Sequence, residues 1–370
     1  MNLTKSKIKK VNSLYIHIPF CSKICPYCDF VKIIDNEQFK KRYVDEIIKD
    51  ISFLTANEAK FLTIYIGGGT PSILNNEELI KLLSALKPLL KDNYEFTIEV
   101  NPESLTIEKL KIFKEYGVNR ISIGIQSFNK KILKEINRDF NIDYFKLINL
   151  VKYYISNINV DLIYGLPSQN LNILKEDLDN FIKLDINHIS TYSLILEKGT
   201  EFYLKGVNEV SDEISREYYD YILNYLRSNG FKRYEVSNFA KPGFESRHNL
   251  TYWKDEEYLA IGIGASGYIN HYRYKNSASL TKYLKGERDK ELEEVSFNDD
   301  LEYYFICNLR LEDGFNLDEF KNKFHFNFLL KYNDKINKLI SRGLVKINGR
   351  NFSCTDEGIA LLDIVLRELI

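Results

Sequence analysis

Six short apolar runs recur before residue 195: Leu14–Ile18, Leu62–Ile66, Phe96–Val100, Ile121–Ile125, Val160–Tyr164 and His188–Leu194. They are rich in Ile, Val and Tyr, as buried parallel strands are. Stretches with helical spacing follow them: Glu37–Leu54, Glu77–Leu90, Ile107–Tyr116, Asp143–Ser156, Leu171–Leu184 and Ser211–Ser228. Thr106 and Gly117 bracket the third helix, and Asn229-Gly230 closes the sixth. Strand–helix repetition with crossovers of this length means parallel βα units, an α/β fold. Six units build either a doubly wound open sheet or part of a TIM-like barrel, and periodicity does not choose between them. In both, ligands gather at the carboxyl ends of the strands. The unusual residues sit there: a cysteine cluster, Gly67-Gly68-Gly69-Thr70-Pro71, Glu99, Gln126, and Asp161 with Gly165-Leu166-Pro167.

The cysteines are Cys21, Cys25 and Cys28, spaced x3 and x2 after the first strand. Three thiolates at this spacing hold three irons of a 4Fe–4S cluster and leave the fourth without a protein ligand, open for chemistry. The bland alternatives are a zinc site or inert core cysteines. Structural zinc wants four ligands, usually in two pairs, and no second pair follows, although His17 is near in sequence. Cys307 and Cys354 lie far along the chain and read as buried core residues. The glycine run is either a tight turn or a place where a ligand comes close to backbone, since glycine has no Cβ to block it. Three consecutive glycines after a buried strand favour the second.

Lys and Arg number 51 and Asp and Glu 52, so the net charge of −1 creates no field to gather nucleic acid. No run of apolar residues is long enough for a membrane helix, which leaves peripheral membrane association at most. The charged first ten residues lack the apolar stretch of a signal peptide. Five cysteines, three of them clustered, are no secreted disulfide framework, and a reducing, cytoplasmic location fits. A charged stretch, Lys282–Glu294, reads as a linker region over residues 281–295, between a domain at 1–280 and a smaller one at 296–370. In the latter, Asp299–Leu311 and Phe328–Ser341 read as helices. Leu344–Ile347 and Asn351–Ser353 read as a hairpin, and Thr355 as the cap of a last helix, Asp356–Leu369. This order resembles a winged helix, and the charge balance favours a packing role over nucleic-acid binding.

The cysteine motif and the glycine loop together resemble the radical S-adenosylmethionine (SAM) enzymes. Longer stretches narrow the likeness: YIHIPFC (15–21), GGGTPS (67–72), EVNPES (99–104), GIQSF (124–128), VDLIYGLP (160–167), 234–243 and 245–253. They are similar to the oxygen-independent coproporphyrinogen III oxidase-like family and, within it, to the HemW-type haem chaperones. The resemblance covers nearly the whole chain. It implies a partial TIM-like (β/α)6 radical SAM barrel with a smaller C-terminal α+β, winged-helix-like domain. It also implies a 4Fe–4S cluster on Cys21, Cys25 and Cys28 whose open iron is chelated by SAM. Tyr15 and Tyr27 would line the pocket, and Gly68, Gly69 and Thr70 would run along SAM's amino-acid part. Glu99, Gln126, Arg138 and Asp161 match family positions that contact one SAM or a second. Carboxylates suit ribose hydroxyls and an ammonium group, and a guanidinium suits a carboxylate. In the oxidase, one electron passed through the cluster cleaves SAM to a 5′-deoxyadenosyl radical, which starts conversion of a propionate to a vinyl group.

Two departures point to the chaperone branch. The oxidase carries a fourth cysteine just after the third, where this chain has Asp29 and Phe30. It also has a longer segment before the cysteine motif. The stretch His248-Asn249-Leu250-Thr251-Tyr252-Trp253 matches a motif tied to haem binding in the HemW type. It suggests His248 as axial ligand, Tyr252 on the same helical face, Trp253 stacked on the porphyrin and Arg247 on a propionate. Ile136-Asn-Arg-Asp-Phe140 and Gly264-Ala-Ser-Gly-Tyr-Ile269 lack histidines often present in the family. The implied function is delivery of haem to apo-cytochromes or other haem acceptors, with an electron donor such as a flavodoxin or ferredoxin. Coproporphyrinogen decarboxylation is the enzymatic alternative.

Overall fold

The computed structural model describes residues 5–370, so the first four residues of the charged N-terminal stretch lie outside it. Six parallel strands stand in unbroken chain order: β1 (Ser13–Ile18), β2 (Phe61–Gly68), β3 (Leu90–Val100), β4 (Arg120–Gln126), β5 (Asn157–Tyr164) and β6 (His188–Ser193). A doubly wound sheet would reverse its order at a switch point; this one does not, which decides for the barrel-like alternative. Three strands extend it at the two edges. The hairpin β7 (Lys232–Glu235) and β8 (Asn238–Ala240) adds antiparallel to β6, and β9 (Leu259–Ile261) adds parallel to β1.

Each inter-strand helix is started by a side-chain cap. Asn36 begins α1 (Glu37–Ala56), and Asn75 with Glu78 forms a capping box on α2 (Asn76–Leu86). Thr106, Asp143, Asn170 and Ser211 cap α3 (Ile107–Glu115), α4 (Tyr144–Tyr154), α5 (Leu171–Lys183) and α6 (Asp212–Ser228). β3 starts at Leu90 rather than Phe96, because Pro88 ends the preceding helix early.

The strands alternate, and the polar side faces inward. Along the register, Ser13, Tyr15 and His17 of β1 stand beside Thr63, Tyr65 and Gly67 of β2. Thr97 and Glu99 of β3 stand beside Arg120 and Ser122 of β4, then Asn159 and Asp161 of β5 beside His188 and Ser190 of β6. The intervening residues, such as Ile16, Ile66, Ile98, Ile121 and Val160, are fully buried under the helices. The hydrophobic core is thus the layer between strands and helices, and the lumen is polar.

The expected linker Lys282–Glu294 is ordered structure instead. Leu280–Leu284 is a helix, and Lys290–Glu294 is the outer strand of an antiparallel sheet with Tyr272–Asn276 and Ser266–Ile269. Its charges are those of a fully exposed edge strand, where they discourage pairing with another chain. Tyr274 and Asn276 turn back onto β9. The Tyr274 hydroxyl accepts from Ala260 N and donates to Ala260 O, and the Asn276 amide donates to Gly262 O.

The C-terminal part matches the expected order, with a short strand, Phe315–Asn316, and a helix over Leu317–Phe324 added, and with the last helix broken at Leu361. The helical stretch Phe328–Ser341 breaks at Tyr332. Asn351–Cys354 lies between Val345–Asn348 and Phe315–Asn316 in a small sheet, over a cluster of Tyr304, Phe305, Phe315, Phe320, Phe328 and Phe352. Cys354 is buried as expected, whereas Cys307 is only half-buried. No helix among the described residues is long and apolar enough to cross a membrane.

The C-terminal unit is clasped to the barrel by Arg233, buried in β7. Its guanidinium donates to Glu312 at 2.7 Å, Asp356 at 2.6 Å and Tyr219 at 3.0 Å. Truncating one partner of a buried ion pair costs several kcal/mol, but both carboxylates here keep contact with Arg227 and with water. Arg233→Ala is therefore expected to lower stability by about 2 kcal/mol in urea unfolding. Arg216→Ala, which removes the exposed pair with Glu357, is expected to cost under about 1 kcal/mol.

Candidate cofactor site

The chain leaving β1 turns through Phe20–Cys21, which pairs with Ile33–Ile34, so the loop carrying Cys25 and Cys28 is closed at its base. Ile33 N donates to Pro19 O and Asp35 N to Cys21 O. At its tip, Phe202 N donates to Pro26 O and the Asn137 amide to Ile24 O. Burial pushes the Cys21 thiol up to about 11 and raises Cys28 as well. These thiols therefore stay protonated at neutral pH, and a metal must displace the protons.

The glycine loop explains how the cysteine loop sits where it does. A Cβ on Gly69 would lie 2.7 Å from the Pro19 carbonyl carbon, and one on Gly68, at φ +120°, would strike the His17 ring at 2.7 Å. The close approach expected from the sequence is therefore, in the first place, to the cysteine loop's own backbone. Gly69 N and Thr70 N complete it by donating to Ile18 O and Phe20 O, each at 2.8 Å. His17 is structural: its Nε2 donates to Val31 O at 2.8 Å, and its Nδ1 accepts from the Tyr15 hydroxyl at 3.1 Å.

A cleft of about 420 Å³ opens above the strand ends. Cys21, Cys25, Cys28 and Tyr27 form one wall, Gly68, Gly69 and Thr70 a second, and Glu99, Gln126, Arg138 and Asp161 the floor. Glu99 accepts from the Tyr65 hydroxyl at 2.8 Å and from Gly68 N at 3.0 Å. Burial, and then Asp161, push its carboxyl up to about 7. Asp161 accepts from the Asn159 amide at 2.8 Å and is also raised by burial. Gln126 sits at φ +73°, a costly conformation for a residue with a side chain, and its buried Oε1 has no partner. The Asp177 carboxylate holds this turn by accepting from Ser127 Oγ at 2.7 Å and Phe128 N at 2.6 Å. Asn101 and Tyr192 also line the cleft. Sequence reasoning missed both, although Asn101 lies within EVNPES.

Among the described residues no three His, Cys, Asp or Glu side chains are grouped so as to hold a metal ion, the three cysteines included. The three thiols nevertheless line one cleft, each able to bind a separate iron of a cluster. The unpaired Gln126 acceptor and the buried Glu99 and Asp161 carboxyls suit the hydroxyl and ammonium donors of SAM.

The profile of the Radical SAM superfamily matches residues 15–184, and that of the HemN C-terminal domain matches residues 295–361. The haem chaperone HemW of Lactococcus lactis is 40% identical over 96% of both chains. The HemW of Escherichia coli is 32% identical over 81% of this chain and 82% of its own. The chain belongs to the HemW haem chaperone family. In fold, the coproporphyrinogen III oxidase HemN of Escherichia coli superposes with a TM-score of 0.84 over 99% of this chain and 92% of its own, at 22% identity. The radical SAM domain of a HemW-family chain implies a 4Fe–4S cluster and SAM.

The motif that suggested haem contact forms α7 (Arg247–Trp253), which plugs the lower end of the barrel. Glu95 of β3 accepts from Arg247 N at 2.9 Å and His248 N at 3.0 Å, so a carboxylate caps the helix. Above it a directional chain forms. Thr251 Oγ1 donates to Arg247 O, Ser13 to Thr251, and Thr63 to Ser13. Thr63 therefore accepts from His248 Nδ1–H at 2.7 Å, and Nε2 accepts from the Tyr252 hydroxyl at 2.7 Å. Burial, and then Arg120, lower His248 to about 3, so the ring is neutral.

His248, Tyr252 and Tyr15 line a second cavity of about 490 Å³, which shares Gly68, Glu99, Asp29 and Phe30 with the cleft. The expected haem set is only partly assembled there. Trp253 lies under the Arg310 guanidinium, away from this cavity, and Arg247 Nη1 donates to Asn93 O. One helical turn cannot aim residues 252 and 253 the same way, which is why adjacent motif residues part company.

Because Glu99 titrates near 7 in the folded protein and lower when unfolded, folding takes up a proton between those values, and stability falls as pH rises through that window. Glu99→Gln is expected to raise the apo-protein's stability by on the order of 1 kcal/mol at pH 8, after discount for solvent in the cleft, and by less at pH 5. Denaturant midpoints at the two pH values check this.

Proposed function

We propose that this chain is a haem chaperone of the radical SAM type: it holds a 4Fe–4S cluster on Cys21, Cys25 and Cys28, binds SAM in the adjoining cleft, and binds haem for transfer to apo-cytochromes or other haem acceptors. The observation that carries the reading is the convergence on one cleft of three thiols, an unpaired Gln126 acceptor and two buried carboxyls. When bound, the cluster and SAM supply one-electron reductive chemistry at the sulfonium.

The chain's own residues do the rest. The glycine loop fixes the height of the cysteines above the floor. Glu99 and Asp161 offer carboxyl groups whose ionised form becomes favourable once a cation or hydroxyl donor arrives. Gln126 Oε1, with no partner within the protein, is free to accept from such a donor. Residues 29 and 30, Asp and Phe, follow Cys28 directly and supply no fourth thiol. For haem, His248 is the candidate ligand. Its Nδ1–H is anchored on Thr63, the anchoring pattern of a metal-binding imidazole, and its Nε2, now bonded to the Tyr252 hydroxyl, would be the atom to hold the iron. A flavodoxin- or ferredoxin-like protein is the expected electron source, and reducing cytoplasm the expected setting.

Anaerobic reconstitution should give a brown protein with four irons per chain, and Cys25→Ser should abolish that absorbance. Haem titration should show a bound Soret band, weakened at least tenfold in His248→Ala. No vinyl product should form from coproporphyrinogen III; robust vinyl formation would make the chain an oxidase instead. Wild-type haem affinity in His248→Ala would remove that residue as the ligand.

A further inference from the structure

The three cysteines have unequal neighbours. Cys21 Sγ faces the neutral Thr70 hydroxyl at 3.8 Å. Cys28 has the Phe30 backbone N–H and the Asp29 carboxylate beside it, and the nearby Lys32 ammonium donates to the Cys28 and Phe30 carbonyls rather than to sulfur. Cys25 alone receives a guanidinium: Arg138 Nε donates to its Sγ at 3.3 Å. The arginine cannot easily swing off. Its Nη1 donates to Gly124 O at 2.8 Å and to Asn101 Oδ1 at 3.1 Å, and Asn101 is itself fixed on Thr70 Oγ1 at 3.0 Å. Arg138 matches a family position that contacts SAM; in this chain it is also bonded to a cysteine and to the strand ends.

We propose that Arg138 sets the reduction potential of the cluster through Cys25, an inference that rests on the cluster reading above. Reduction adds one electron, and so one negative charge, to the cluster and its thiolates. A fixed cation with an N–H directed at a ligand sulfur stabilises that charge, and both effects raise the potential. Position 138 is thus a tuning position for electron entry, independent of whether SAM is present.

The test is an EPR-monitored redox titration of anaerobically reconstituted protein without SAM, for wild type, Arg138→Gln and Arg138→Lys. The midpoint should move to lower potential in Arg138→Gln. Arg138→Lys, which keeps the charge but loses the planar Nε donor, should fall between the two. Equal midpoints in the three proteins overturn the inference. So does failure of both variants to hold a cluster while their circular dichroism matches wild type, since Arg138 would then be needed for assembly rather than for potential. Failure of the wild-type protein itself to take up iron sinks the cluster reading and is seen before any variant is compared.

Discussion

Polar side chains turned inward from parallel strands must find partners inside the barrel, and that requirement organises this molecule. A guanidinium, an imidazole or a carboxyl out of water costs several kcal/mol unless it is bonded. Two chains of bonds are closed: Ser13, Thr63, Thr251 and His248 form one, and Asn159, Ser122 and His188 another. At the cleft the bonds are not closed. Gln126 Oε1 has no partner, and Glu99 and Asp161 are held toward their neutral forms. The satisfied chains act as a foundation, and the unsatisfied cleft is where a ligand has something to gain.

Arg120 acts on both. It is buried in the lumen, its Nε has no partner, and neither does Thr97 Oγ1 on the neighbouring strand. Its charge favours the ionised forms of Glu99 and Asp161 and disfavours a charged His248. One cation thereby reinforces what burial does to keep the imidazole neutral and limits how far burial can neutralise the carboxyls.

Much of this was legible in the chain. The six strands, their helices and several caps follow from periodicity and from Thr106, Asn229 and Thr355. The cysteine spacing and the motifs mark the right end of the barrel. Other parts depended on distant residues. That both His248 nitrogens are engaged depends on Thr63, 185 positions away. That Gly69 serves the cysteine loop depends on Pro19. The polar alternation of Ser13-Tyr15-His17 was present in the sequence, but frequent Ile and Val between those positions masked it as an all-apolar strand. The helix over Leu317–Phe324 was hidden because its Phe residues serve a local aromatic cluster rather than a long stripe. The charged stretch at 282–294 looked like a tether because exposed edge strands and tethers share a composition.

An unclosed barrel has two free margins, and here each is blunted differently. Along β9 the Tyr274 hydroxyl and the Asn276 amide stand in for a neighbouring strand, and at β7 Glu235 bridges to Leu311 of the C-terminal unit. Each rim thus offers a foreign extended segment fewer open backbone groups to pair with, a condition that suits a protein whose proposed cargo is itself flat, greasy and prone to stick.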